Sequence, residues 1–142
     1  MYMKEQTLVL IKPDGVSRNL VPIILTHIED SGLEIVEQRY LTATEDQCRK
    51  HHNIKERSYG ATTEQIVDYL ARSYIKNENI CVLIVEGENA VDKTYDVKCK
   101  IRNDFALDTR EKCKAENRAL HNIMHSSETT DDAEREIDVW LR

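Results

Sequence analysis

The chain has 142 residues, of which 40% are hydrophobic and 32% charged, and its 20 basic and 26 acidic side chains give a net charge of −6. This composition predicts one domain over residues 1–142 and excludes an intrinsically disordered chain, because enough apolar surface is available to offset the entropy of folding. The acidic balance argues against a nucleic-acid partner, since affinity for a phosphate backbone comes mainly from clustered Lys and Arg.

The N-terminal part of the chain predicts a strand followed by a helix. Residues 7–11 form a β-rich run that ends at the turn sequence Lys12-Pro13-Asp14-Gly15, in which glycine accepts a positive φ. Residues 19–29 repeat apolar side chains at helical spacing, and Gly32 is a candidate C-cap.

The next segment predicts a second strand and two helices. Residues 33–41 form the strand, and Thr44 with Gln47 three residues later is the capping-box signature of a helix that runs to about residue 55. Thr62 or Thr63 then caps a shorter helix, which a polar surface loop follows.

The C-terminal part of the chain alternates strands and helices. Residues 80–85 are predicted as a strand buried on both faces, and residues 89–95 as a short helix. Residues 96–117 show no sustained period and receive no assignment. Residues 119–126 are predicted as the last core strand, followed by a closing helix with an apolar face over residues 133–141.

This order of elements predicts an α+β fold. A four-stranded antiparallel sheet with helices packed on it, in a ferredoxin-like split βαβ arrangement, accommodates all of them. Such a sheet is compatible with enzymes, small-molecule sensors and RNA binders, so the fold class alone does not indicate a function.

Apolar runs and cysteine spacing predict the cellular location of the protein and the state of its thiols. The longest apolar run, residues 80–85, is far shorter than the roughly 20 residues that cross a bilayer, and no signal-peptide core is present. We therefore expect no membrane partner and a cytoplasmic location. The four cysteines are irregularly spaced and predicted to be free thiols, and the histidines complete no metal-ligand spacing with them, so no protein-held metal is expected.

Side chains must bind any phosphate, because the sequence contains no glycine-rich phosphate-binding loop. Lys12 and Arg102 are candidate cations, although a lysine at a turn is commonly just solvated. His125 is a candidate nucleophile, since a neutral imidazole attacks phosphorus directly when a partner fixes its tautomer. Alternatively His125 is an ordinary satisfied histidine, or it pairs with His121 on a helix to bind a metal.

Several separated blocks resemble the nucleoside diphosphate kinase family. They are Lys12-Pro13-Asp14-Gly15, Asn122-x-x-His125-x-Ser127 and Ala133-Glu134-Arg135-Glu136-Ile137, in the order of the family, and the resemblance spans most of the chain. It implies a ping-pong transfer of the γ-phosphate from a nucleoside triphosphate to a nucleoside diphosphate through phosphorylated His125. It also implies Mg2+, bound mainly through the nucleotide phosphates, and a homo-oligomer.

The resemblance also implies roles for five neighbours of that histidine. Lys12 and Asn122 would hold the ribose hydroxyl and the surroundings of the transferred phosphate, and Arg102 would bind phosphate. Glu136, together with Ser127, would orient the imidazole.

Two further residues stand at family nucleotide-binding positions. Tyr59 falls where the family stacks an aromatic ring on the base, and stacking tolerates every base. His52 stands where the family usually has a tyrosine beside the phosphates. The alternatives are an ordinary surface tyrosine and an exposed helix histidine.

The sequence also departs from the family. Tyr95 occupies the position of a phosphate-binding arginine, and the loop that normally follows is shortened, which leaves the oligomer size open. Lys98 or Lys100 is a candidate replacement for the lost charge. These departures favour an alternative function, a nucleotide-binding domain of the same fold with weak or lost kinase activity. A scaffold domain that acts through its charged segment, residues 98–118, is a third possibility.

Overall fold

The computed structural model describes residues 4–51, 79–116 and 122–142. The elements within these ranges are β1 (Glu5–Ile11), α1 (Pro13–Ser17), α2 (Val21–Asp30), β2 (Glu34–Leu41), α3 (Glu45–His51), β3 (Ile80–Gly87), α4 (Ala90–Phe105), α5 (Arg110–Ala115), β4 (Met124–Ser126) and α6 (Thr130–Leu141). No helix in the described part of the chain is long and apolar enough to cross a membrane.

The four strands form one sheet in the order β2-β3-β1-β4, and every neighbouring pair is antiparallel. With α2 as the main helix between β1 and β2 and α4 as the main helix between β3 and β4, this is the ferredoxin-like α+β arrangement predicted from the sequence. The near-continuous apolar run of β3 is buried along almost its whole length, as expected for a strand covered on both faces.

Helices cover the two faces of the sheet, and the alternation of β1 determines which side chain meets which helix. Val9 and Ile11 pack in one buried cluster with α2 and α4, whereas Leu8 and Leu10 pack in the other with α3 and α6. Each helix contributes apolar residues to its own cluster, including Ile24 and Ile28 from α2, Val97 and Ile101 from α4, Cys48 from α3, and Ile137 and Trp140 from α6.

The capping box predicted at the start of α3 is present. The backbone N–H of Gln47 donates to the Thr44 hydroxyl at 3.1 Å, and the N–H of Thr44 donates to Oε1 of Gln47 at 3.0 Å. The predicted extension to residue 55 and the helix capped at Thr62 or Thr63 lie outside the described residues. Cys48, Cys81 and Cys99 form no disulfide bond, as predicted.

The prediction of a simple turn over residues 12–15 was wrong, because the chain forms the short helix α1 there. Gly15 is needed for close packing and not for a positive φ. A Cβ atom at this position would lie 2.8 Å from Cγ2 of Ile11 and 3.0 Å from both Cγ2 and the carbonyl oxygen of Ile123. Asn19 instead takes the left-handed conformation, with φ 59°, so α2 starts later than predicted, at Val21.

Two predictions in the C-terminal part were also wrong. The helix predicted over residues 89–95 is α4, which spans 16 residues from Ala90 to Phe105 and so includes much of the unassigned segment. The pattern hid it because Thr94 and Lys98, both polar, occupy inward positions among Val91, Val97 and Ile101. The last strand, predicted over residues 119–126, begins at Met124 within the described residues because Ile123 has φ 76°, which extended backbone does not allow. Residues 119–121 lie outside the described part of the chain.

The contact at Gly15 generates the first prediction. Gly15→Ala should lower the free energy of unfolding by about 1–3 kcal/mol, because the added methyl group overpacks the space against Ile11 and Ile123. Urea denaturation measures this change. Ser17→Ala, on the exposed side of the same helix, is the control and should stay within roughly 0.5 kcal/mol of wild type. An alanine variant as stable as wild type would contradict this close packing.

Candidate active site

His125 lies in the middle of β4, at an edge of the sheet. It pairs with Leu10 of β1, and since paired residues share a face, its ring lies on the side of the sheet that carries α3 and α6. The side chain keeps 22% of its surface exposed. The ring is therefore supported by the protein on one side and remains accessible on the other.

Helix α6 brings a carboxylate and an indole to the same side of the sheet. Glu136 and Trp140 are four residues apart, so they lie on one helix face, and both are buried. The helix begins at a fixed point because the Thr129 hydroxyl accepts the backbone N–H of Asp132 at 3.0 Å.

The carboxylate of Glu136 is hydrogen-bonded to Nε2 of His125. A carboxylate only accepts hydrogen bonds, so the proton of the neutral ring lies on Nε2. The other ring nitrogen, Nδ1, then carries the free lone pair. The position of Glu136 thus leaves Nδ1 as the ring nitrogen with an available lone pair.

A second histidine, His51 at the end of α3, lies against the first. The two ring centroids are 4.5 Å apart with the rings nearly perpendicular, and Nδ1 of His51 is 3.5 Å from the Glu136 carboxylate. The indole N–H of Trp140 donates to that Nδ1 at 2.9 Å, which leaves His51 unable to donate to Glu136 from this atom. Glu136 is therefore available to His125.

His51 and Trp140 are residues of the site that the sequence patterns did not reveal. Trp140 was assigned only to an apolar helix face, and no spacing connects it to His51, which is 89 residues away in the chain. Arg135 holds the two helices together, since Nη1 donates to the carbonyl oxygens of Lys50 at 2.7 Å and His51 at 2.8 Å. Only the folded structure shows this connection.

His51, His125 and Glu136 also offer three possible metal-ligand atoms, all within 4.8 Å of one another. Each of these side chains already takes part in a hydrogen bond within the site. A transition metal bound there would have to displace the Trp140 indole and the proton between His125 and Glu136. The geometry therefore favours a hydrogen-bonded array.

Two cations predicted from the sequence lie at the same edge of the sheet. Nζ of Lys12 donates to Oδ1 of Asn122 at 2.6 Å. Arg102, on α4, reaches the segment before His125, where its Nε donates to the carbonyl of Asn122 at 3.2 Å and its Nη2 to that of Met124 at 2.7 Å. The structure thus brings Lys12, Arg102 and Asn122 together beside His125.

The segment that carries His125 is held in a strained conformation. Ile123, a β-branched residue at φ 76°, is the centre of a γ-turn that is closed by a 2.9 Å hydrogen bond from the N–H of Met124 to the carbonyl of Asn122. The residues that begin α1 hold this turn. The N–H of Lys12 donates to the Ile123 carbonyl at 2.7 Å, and Oδ2 of Asp14 accepts the Ile123 N–H at 3.0 Å.

The electrostatics of the site favour a neutral imidazole beside positive charge. Burial lowers the pKa of His125 below its usual 6.5, and this effect outweighs the Glu136 hydrogen bond and carboxylate, which raise it. Burial, followed by the charge of Arg102, lowers the pKa of Lys12 to about 8. At neutral pH the ring is therefore mainly neutral and most Lys12 side chains are charged.

The remaining predicted residues are placed differently. Ser127 is fully buried directly after β4, and its backbone N–H donates to the carbonyl of Leu8 at 3.1 Å. Its hydroxyl has no hydrogen-bond partner in the part of the chain that the structure describes, so no bond to the imidazole or to Glu136 is seen. His52, Tyr59 and His121 lie outside the described residues.

Comparisons with known proteins agree on one family. The family profile described as nucleoside diphosphate kinase matches residues 5–142. A protein of Corynebacterium jeikeium named nucleoside diphosphate kinase is 35% identical over 150 residues, which cover 98% of each chain. One of Methanocaldococcus jannaschii with the same name is 30% identical over 99% of this chain and 95% of its own.

Solved structures show the same fold. A nucleoside diphosphate kinase of Borrelia burgdorferi, described as a transition state mimic with bound vanadate and ADP, superposes with a TM-score of 0.81 at 25% identity, covering 98% of this chain and 88% of that one. An NDP kinase of Pyrobaculum aerophilum has a TM-score of 0.73 at 21% identity, covering 99% and 97%.

The surroundings of His125 generate the second prediction. In an NMR titration its ring should show a pKa below 6.5, and Glu136→Gln should lower that pKa further, because the carboxylate favours the protonated ring. Glu134→Gln, an exposed change on the same helix, is the control and should leave the titration unchanged. A wild-type pKa above 6.5, or no shift in the Glu136 variant, would contradict the described environment.

Proposed function

The chain belongs to the nucleoside diphosphate kinase family of transferases, and from that premise we propose that it transfers the γ-phosphate of a nucleoside triphosphate to a nucleoside diphosphate by a ping-pong mechanism through phosphorylated His125. The observation that carries the proposal is the His125 ring, with its Nε2 bonded to Glu136 and two cations beside it. A residue in this arrangement meets the needs of phosphoryl transfer, which depends on positioning and charge neutralisation.

In the first half-reaction the lone pair of His125 Nδ1 attacks the γ-phosphorus of the triphosphate. The bond from that phosphorus to the bridging oxygen breaks, and the nucleoside diphosphate leaves with the electron pair. No proton has to leave the ring, because Nδ1 carries none, and the Nε2 proton stays in the hydrogen bond to Glu136. The carboxylate opposes the positive charge that develops on the ring.

In the second half-reaction the process runs in reverse with a different nucleotide. A terminal oxygen of the incoming diphosphate attacks the phosphorus on Nδ1, the phosphorus–nitrogen bond breaks, and the ring recovers its lone pair. The same groups serve both half-reactions, since donor and acceptor present the same phosphates. The two nucleotides therefore use one site in turn.

The cations and polar groups around His125 have separate roles in this proposal. Lys12 and Arg102 neutralise the charge of the transferred phosphate. Asn122 accepts a hydrogen bond from Lys12, positions its ammonium group and contacts the ribose of the nucleotide. Tyr59 is proposed to stack on the base, and His52 to lie beside the phosphates.

Magnesium is proposed to enter with the nucleotide. Mg2+ prefers oxygen ligands and is commonly held by one or two carboxylates together with substrate phosphates. The groups brought beside Nδ1 are predominantly cations, which fits an ion that is held mainly by the nucleotide. When bound, the ion supplies further neutralisation of phosphate charge.

We also propose that the 142 residues act as a single domain in a cytoplasmic homo-oligomer. In the described sheet β2 is an edge strand, and its Val36 and Tyr40 are 42% and 50% exposed. An edge strand with exposed apolar side chains is a natural pairing surface for a second copy.

The net charge of −6 supports nucleotides, and not nucleic acids, as the ligands.

The third prediction tests the phosphoenzyme. After incubation with γ-labelled ATP and Mg2+, wild type should carry acid-labile phosphate, and His125→Gln should reduce the rate of labelling by about 10³-fold or more, because the nucleophile is removed. His27→Gln, on α2 at a distance from the site, is the matched control and should label like wild type.

The second half of that experiment separates the active kinase from its alternative. Labelled wild type, freed of ATP, should pass its phosphate to GDP. A protein that binds ADP but passes no phosphate to a second diphosphate is the nucleotide-binding domain with lost activity that Tyr95 and the shortened loop favour. A wild-type protein that stays unlabelled at high enzyme concentration would refute the kinase.

A further inference from the structure

A lysine that the proposed mechanism does not use is buried on α4. Lys98 is only 5% exposed, although lysine is almost never buried unless its charge is compensated. Its position is inward on the helix, between Val97 and Ile101, which both belong to the core. A buried charge costs folding free energy. We therefore expect the ammonium group of Lys98 to have a function that requires its charge.

The face of α4 that carries Lys98 is the one that meets the His125 segment. Arg102 lies four residues further on, hence on the same face, and it bonds the carbonyls of Asn122 and Met124 that precede His125. Tyr95 lies three residues before, and its ring centroid is 4.5 Å from Nζ of Lys98. A cation–π contact of this kind holds the ammonium in place without neutralising it.

Lys98 shares its electrostatic environment with the groups of the proposed site. Burial lowers its pKa, and the Arg102 guanidinium lowers it further. The charge of Lys98 in turn helps to lower the pKa of both Lys12 and His125. Three cations therefore act on one small region.

Acidic groups oppose this charge only in part. Glu128, the Cys99 sulfur and Glu136 favour the charged form of Lys98, but burial and Arg102 are the larger effects. Like charges held close together in a partly desolvated place repel each other strongly. A multiply charged anion would relieve this repulsion, and the proposed nucleotide is such an anion.

We propose that Lys98 is a phosphate-binding residue, a third cation that contacts the phosphates of the nucleotide at His125 together with Lys12 and Arg102. The assignment rests on the proposed function, because it takes a nucleoside di- or triphosphate as the ligand. An ammonium acts as a compact point charge on phosphate oxygens, whereas Arg102 has two of its donors engaged by backbone carbonyls.

The structure also distinguishes Lys98 from Lys100, the other candidate for the same role. Lys100 is exposed on α4, and its Nζ is 3.4 Å from Oδ2 of Asp104. It lies two residues from Lys98, so the two side chains project in different directions from the helix. Lys100 is therefore a matched control, with the same residue type on the same helix and no role in the site.

The fourth prediction compares these two lysines by calorimetric titration with Mg·ADP. Lys98→Gln should weaken ADP binding by about 10- to 100-fold, the value of a charge-assisted phosphate contact, whereas Lys100→Gln should change it by less than about twofold. Lys98→Arg should restore most of the affinity because it restores the charge. Without nucleotide, Lys98→Gln should melt at the same temperature as wild type or higher, since the substitution removes repulsion among the cations.

Each outcome decides between the two proposals. If Lys98→Gln binds ADP as wild type does, the assignment of Lys98 is wrong and the kinase proposal stands. If Lys98→Gln melts at a lower temperature without nucleotide and Lys98→Arg restores that temperature but not ADP affinity, Lys98 is structural and the assignment is again wrong. If wild type itself binds no ADP, the proposed function fails, and the assignment fails with it.

Discussion

The hydrogen bond between Nε2 of His125 and Glu136 determines which nitrogen of the ring is free, and the chemistry proposed for this protein depends on that choice. Glu136 is buried on a helix whose first turn is capped by Thr129, and both features fix the position of its carboxylate. Trp140 keeps His51 from competing for it. A buried carboxylate that already accepts the His125 hydrogen bond is a preorganised electrostatic partner, so it has to reorganise little during the reaction.

The positive charges come from elements that are distant in sequence, and the segment around Ile123 connects them. Lys12 follows β1, whereas Arg102 and Lys98 lie on α4. The backbone carbonyls in and next to the strained turn before β4 accept hydrogen bonds from the N–H of Lys12 and from the side chain of Arg102. Backbone strain of about 1–3 kcal/mol persists only where its surroundings fix it. Here Asp14, Arg102 and the close contact of Gly15 do so. The position of His125 is thus a consequence of tertiary packing around a short edge strand.

Periodicity predicted the parts of the fold whose burial follows a simple pattern, such as β1, α2, β3 and α6. It failed where polar residues occupy inward positions, and for this reason α4 was divided between a short helix and an unassigned segment. Family blocks identified His125, Lys12, Arg102, Asn122 and Glu136, which the structure places together. They could not identify His51 and Trp140, which act through a contact between distant elements, nor choose between Lys98 and Lys100, since burial and not sequence distinguishes them.

The position of the phosphate on the imidazole tests the central claim most directly. Phosphorus–nitrogen NMR correlation on phosphorylated protein, with the ring nitrogens labelled by isotope, separates the two isomers of phosphohistidine. Because Glu136 holds the proton on Nε2, the phosphate should be found on Nδ1 of His125. Phosphate on Nε2 would mean that the hydrogen bond to Glu136 is broken in the reacting enzyme, and it would contradict the assignment of Nδ1 as the nucleophile.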